Sequence, residues 1–197
     1  MADLFVPAEH SLSFREQPVE KGPLYAFPTI GLFATAIAAV PLGIARHAID
    51  IFKELARTKV AYRSRQTLNQ HAMLQADLGR AEALVRSGRA FLYETLGVAW
   101  RSVSTGDMLD VTQRAMLWLA ATQATSAATQ AVDLMFTAGG SASVYAGTGL
   151  ERCMRDIRTA AQHVVVVPSN FEMVGQALLD FDMRSTPLLA TDDRSTG

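Results

Sequence analysis

Cysteine is almost missing from this sequence: of 197 residues only Cys153 is one. A lone thiol cannot close an internal disulfide, and nothing near it has zinc-ligand spacing. It reads as a small buried hydrophobe rather than a nucleophile. Net charge is almost missing too. With 18 Lys and Arg against 19 Asp and Glu, the formal charge is −1, and the arginines are scattered among acids. No basic stripe forms, which argues against a nucleic-acid binder. Also absent are a Gly-x-Gly-x-x-Gly turn, a phosphate loop, a Gly-x-Ser-x-Gly elbow and the Glu-x-x-His motif of di-iron bundles. The histidines are His10, His47, His71 and His163. His47 and Asp50 share a helix face, but two ligands are not a site, and no metal is expected. Met1 to Pro7 lacks the basic and apolar regions of a secretory signal, so a cytoplasmic protein is expected. Thr29 to Ala45 is the one membrane suspect. Gly31, Pro41 and Gly43 interrupt it and an amphipathic pattern follows, so it is expected to be a buried bundle helix and not a span. No internal repeat occurs.

What is present is helical periodicity. The chain is 49% hydrophobic, enough for one well-buried core. Residues 1–28 are broken by Pro7, Pro18 and Pro23 and are expected to form an extended lead-in without helix. A first long helix is predicted from Pro28-Thr29 to about Thr58, with a kink or break near Pro41. In the second helix Leu74, Leu78, Ala81, Val85, Gly88 and Leu92 step by fours and threes, the seam of a helix packed nearly antiparallel to a neighbour. Gly88 in that seam implies close backbone approach. The seam continues through Ala99 and Val103 and should stop at Gly106, after which Asp107, with Asp110 three residues on, can cap the next helix.

The third helix, about 108–138, is weakly polar all round: between Val111 and Leu150 only Arg114 and Asp133 are charged. Such a helix must be buried on most sides. One bundle of this size would hardly enclose it, so a subunit interface and a homo-oligomer are expected. A small-residue turn, Ala138 to Ser143, follows. A charge-rich fourth helix is predicted from Leu150 to His163, then a short β-prone run, Val164 to Val167, stopped by Pro168. Ser169 or Asn170 can cap a last helix to about Leu179. The bundle domain thus spans 29–180, and the tail over 181–197 is polar, Pro-broken and expected to be mobile. The fold class is all-α: an up-down four-helix bundle with a short fifth helix.

Three stretches carry a resemblance. Asp3-Leu4-Phe5-Val6-Pro7 followed by Gly22-Pro23-Leu24-Tyr25 resembles the exit from the middle β-domain in acyl-CoA dehydrogenase-like flavin-dependent monooxygenases. Pro41-Leu42-Gly43-Ile44-Ala45-Arg46-His47-Ala48-Ile49-Asp50 is similar to the first long helix of their C-terminal domain. Leu150-Glu151-Arg152-Cys153-Met154-Arg155-Asp156-Ile157, preceded by Gly139-Gly140 and followed by His163, keeps the order seen across the wider acyl-CoA dehydrogenase superfamily. The similarity runs nearly the whole chain up to Leu179 and makes residues 1–28 the expected remnant of a β-domain.

The resemblance implies a function and a site. Acyl-CoA dehydrogenases keep a Tyr-Glu-Gly-Thr stretch shortly after Arg-Asp, whose Glu is the base; here the region reads His163-Val164-Val165-Val166-Val167-Pro168. The monooxygenase branch has a His there that faces the flavin, and His163 matches it as the proton-handling residue. An imidazole suits that work because its unperturbed pKa lies near neutral. For the cofactor, FAD or FMN, the resemblance points to Arg63 or Arg65 for the phosphates and to Gly139 and Gly140, whose backbone N–H groups can approach a ligand closely. The usual Phe-Gly after that Arg is missing, as is the Gln before Gly-Gly. In the superfamily these elements reach the flavin of a neighbouring subunit. Arg155 and Asp156 read as an ion pair holding the fourth helix to the bundle. The implied activity is hydroxylation of an aromatic or similar apolar substrate with reduced flavin and O2, the flavin coming from a separate reductase. The parts of such an enzyme that normally form much of the flavin and substrate pockets would then belong to missing domains or to another chain. The alternatives are a dehydrogenase relative with its base elsewhere, and a catalytically silent helical scaffold or oligomerisation module.

Overall fold

The computed structural model describes residues 4–11, 18–60, 62, 64–183 and 186. Six helices follow one another: α1 Pro23–Ala26, α2 Thr29–Thr58, α3 Ala72–Ser104, α4 Val111–Gly139, α5 Leu150–Ala160 and α6 Asn170–Leu178. Among the described residues no strand forms; Val60 and Thr67 make one isolated antiparallel bridge. The bundle is therefore three long helices closed by a short fourth, α5, with α6 as the fifth.

α4 is the axis. It packs along α2 and α3 and also touches α5 and α6. Its alanines explain why: Ala115, Ala120, Ala121, Ala124, Ala127, Ala128 and Ala131 have no exposed surface, and small side chains let neighbouring backbones approach from several sides at once. Gly88 of α3 shows how close. A Cβ added there would lie 3.2 Å from Ala124 Cα and 3.4 Å from Ala127 Cβ. The α3 seam buries Ala81, Val85, Gly88, Leu92, Thr95, Ala99 and Val103 against this surface. Asp110 begins α4: its carboxylate accepts from Gln113 N–H at 2.7 Å, while the Gln113 side chain accepts from Asp110 N–H at 3.1 Å, a reciprocal cap that satisfies two end donors.

The chain itself buries 15 of the 29 residues of α4 and leaves Thr112, Gln123, Gln130 and Thr137 exposed. Other expectations need correction. Of the kink or break expected near Pro41, the break does not occur; buried residues on both sides of the ring, Ala38 and Ala45 among them, hold the helix where one hydrogen bond is lost. α2 is also the one helix among the described residues long and apolar enough to cross a membrane, and its buried residues run from Gly31 to Ala56 within the bundle. The lead-in contains helix: a 3-10 turn at Ala8–His10 and the single turn α1. Pro23 at the first position pre-sets that turn, and Phe27 after it is buried with Ala99, Val103, Leu109 and Leu117. Val164 to Val167 forms turns and no strand, because a β-prone run needs a partner strand and only helices lie beside it. The tail beyond residue 183 falls almost wholly outside the described residues.

Candidate functional site

The residues singled out from the sequence fall in two places. The first is the end of the bundle where α2 and α4 finish. Lys59 follows α2, and its Nζ donates to the Gly139 carbonyl at 2.8 Å, tying the two helix ends together. The chain then turns back on itself: Leu68 N–H donates to the Lys59 carbonyl at 2.9 Å, and Thr67 with Gln70 forms a reciprocal cap leading to α3. Arg65 lies exposed on this loop. Arg63 lies outside the described residues.

Gly139 and Gly140 have different reasons to be glycine. Gly139 is buried, and a side chain there would run into Ser143 Oγ and, at 2.9 Å, Leu150 Cδ1. Gly140 has φ +56, in the left-handed region, and a Cβ there would lie 4.0 Å from Lys59 Nζ. The Gly140 N–H is already donated to the Thr137 carbonyl. That bond engages one of the two N–H groups expected to approach a ligand. The turn is the C-terminal, electronegative end of α4; it offers carbonyls, which suit hydroxyl or amino donors, while any phosphate would depend on Lys59 and Arg65. Lys59 was not legible in advance, since nothing in the sequence links it to a glycine 80 residues on.

The second place is the turn between α5 and α6. His163 is exposed there. Its N–H donates to Ala160 and its carbonyl accepts from Val166 N–H at 2.9 Å. Nδ1 accepts from Val165 N–H at 3.4 Å, so a neutral ring carries its proton on Nε2. Val165 and Val166 are buried and pin the turn from below. Asn170, also buried, clamps it: its side-chain amide donates to the Val164 carbonyl at 3.3 Å and reaches Thr122 Oγ1 of α4 at 3.5 Å. Asn170 thus holds the turn instead of capping α6, and Ser169, at the cap position, makes no side-chain cap bond. No carboxylate lies between Asp156 and Glu172.

α5 separates the two places. Leu150 at its start lies against Gly139, and its 11 residues extend about 16 Å at 1.5 Å each. Arg155 and Asp156 do not hold it to the bundle: Arg155 pairs with Glu151 at 3.5 Å and Asp156 with Arg152 at 3.4 Å, both within α5. Their spacing of four residues favours that choice. The tie to α4 is Arg158, whose Nη2 donates to both Asp133 oxygens at 2.7 and 2.8 Å. Cys153 is buried, and burial pushes its thiol up from the ordinary value, in keeping with a packing role. Among the described residues no cluster of metal-ligating side chains occurs.

Residues 35–168 match the model of the family described as acyl-CoA dehydrogenase, C-terminal domain. An indole-3-acetate monooxygenase of Pseudomonas putida is 29% identical over 153 residues, which are 78% of this chain and 39% of that one. A protein of the same name in Acinetobacter baumannii is 21% identical over 165 residues, 84% of this chain and 42% of that one. The chain spans about two fifths of the length of these curated relatives. Among solved structures, XiaF from Streptomyces sp., in complex with FADH2 and glycerol, superposes with a TM-score of 0.82 at 24% identity, over 91% of this chain and 48% of that one. The 3-HSA hydroxylase from Rhodococcus sp. RHA1 gives 0.80 at 20% identity, over 91% and 49%. At these identities the structural likeness establishes the fold.

Proposed function

Because the chain belongs to the acyl-CoA dehydrogenase C-terminal domain family, we propose that it acts as the C-terminal domain of a flavin-dependent monooxygenase. That enzyme hydroxylates an aromatic or similar apolar substrate with reduced flavin and O2. The indole-3-acetate monooxygenase relatives support this branch over the dehydrogenases. The observation that carries the reading is His163: an imidazole stands on a turn clamped from both sides, in a stretch without a carboxylate.

Reduced flavin, when bound, supplies the oxygen chemistry. The residues present fit such a group. His163, with Nδ1 held by Val165 N–H, presents Nε2–H as a hydrogen-bond donor, and it takes up a proton at Nδ1 when the 3.4 Å contact opens. Lys59 and Arg65 supply positive charge for phosphates, and the carbonyl end of α4 at Gly139 and Gly140 suits the hydroxyl and amino donors of an adenosine. That pairing favours FAD over FMN. The separation of the two places by α5 accords with two flavins, one against His163 and the far end of another held by a neighbouring subunit, hence a homo-oligomer. A flavin reductase and the remaining domains, in the same or another chain, complete the proposed system, which is read as cytoplasmic.

The test uses the enzyme with this chain and its remaining domains together. His163→Ala should lower hydroxylation by about a hundredfold and change its pH profile, while flavin binding, read by fluorescence, is kept. An unchanged rate and pH profile would remove His163 from the role. Unaltered fluorescence of both FAD and FMN on adding that enzyme would favour a silent scaffold.

A further inference from the structure

On the side of the bundle where α2 faces α3, a groove of about 460 Å³ opens that the proposed flavin chemistry does not use. No residue of α5 or of the His163 turn lines it. Its floor is apolar, with Leu42, Val85 and Leu92 buried. Its rim carries Arg46, Arg86 and Arg89. The size lies within the range of small-molecule pockets.

The charges are unbalanced. Both Glu82 oxygens are taken by Arg46, at 2.7 and 2.8 Å, and one is shared with Arg86 Nε at 3.1 Å. Arg89 lies over the Tyr93 ring, 4.6 Å from its centroid, and enters no ion pair among those described. Asp50 also acts on Arg46 through space, so three guanidiniums stand against two carboxylates, an excess of one positive charge over an apolar floor. Gly43, on the α2 wall, adds room: a Cβ there would meet nothing within 4 Å.

We propose that the α2–α3 groove binds an aromatic monocarboxylate, its ring on the Leu42, Val85 and Leu92 floor and its carboxylate between Arg86 and Arg89. The planar guanidinium matches a carboxylate edge with two parallel hydrogen bonds, and the Arg89–Tyr93 stack presents a flat surface to a ring. A neutral aromatic would forfeit the charge match, and an inorganic anion would leave the floor wet. The inference stands on the groove alone and is independent of the flavin reading.

Calorimetric titration of the 197-residue chain with naphthylacetate, and with naphthylacetamide as the neutral probe, tests it. The acid should bind saturably at one site and the amide at least about tenfold more weakly. Arg89→Gln should lower affinity for the acid at least about tenfold by the same reasoning. Gly43→Leu should block the site while keeping far-UV circular dichroism and thermal midpoint, because leucine raises helix propensity at an open position. Absence of saturable binding, equal binding of the amide, or undiminished binding by either variant would overturn the proposal.

Discussion

α4 and α5 lie side by side and are built on opposite plans. α4 has 29 residues, only two of them charged, and most of its circumference disappears under neighbours. α5 has 11 residues, is charged on its outer face, and buries only Leu150, Cys153 and Ile157. The first is located by shape, through its alanines and the close approach of Gly31 on α2 and Gly88 on α3. The second is located by a few large apolar anchors and one bidentate ion pair. The difference teaches where adjustment is possible. Both candidate places lie at the ends of α5, so their separation depends on how firmly the short helix is seated on the long one.

Substitutions can break or sharpen this contrast. Trp118→Ala in α4 should have the largest effect, about 3–5 kcal/mol, because the indole is 1% exposed in the core; urea melts would measure it. Ile157→Ala should cost about 3 kcal/mol and, unlike the α4 change, release α5 selectively, seen as faster amide exchange in α5 than in α4. Gly88→Leu tests the contact of α3 on α4, where the neighbour is backbone; overpacking should cost about 1–3 kcal/mol. An effect near zero would mean that α4 has slack after all.

The two smallest predictions concern ion pairs. Hydrogen bonding from Arg46, reinforced by Arg86, holds the Glu82 carboxyl down to about 2 from 4.5. A depressed pKa adds stability above the unfolded value and loses it as pH falls through the folded one. The stability difference between wild type and Glu82→Gln should therefore be full above pH 4.5 and vanish as pH falls toward about 2. Partial exposure of both partners limits it to about 1 kcal/mol. Arg158→Ala should cost about 0.5 kcal/mol in global stability, since the pair with Asp133 is exposed. If it instead unseats α5 as fully as Ile157→Ala, charge and not apolar anchoring locates that helix.

Much of the fold was legible because it follows from periodicity. The α3 seam and the Gly88 contact are each made within a short window or by one residue whose chemistry has few uses; the capping turn was placed too, although Asp110 and not Asp107 makes the bond. What failed depended on partners distant in sequence. Arg155 and Asp156 looked like the tie to the bundle because they are adjacent, whereas Arg158 finds Asp133 25 residues earlier. At the candidate site, His163 and the two glycines were visible as residue types in order. Lys59 was not, and Asn170 was read as a cap instead of a clamp, since each acts through a carbonyl that only folding brings within reach.

The zero-exposure alanines of α4 also set how this protein can change over generations. Nearly every larger residue at those positions has to displace the backbone or side chain of a neighbouring helix, so accepted changes there are confined to glycine and serine, or come in compensating pairs across two helices. The outer face of α5 carries no such constraint and can drift. A deep mutational scan should therefore draw α4 as a nearly continuous intolerant band and α5 as a stripe repeating at every third or fourth residue.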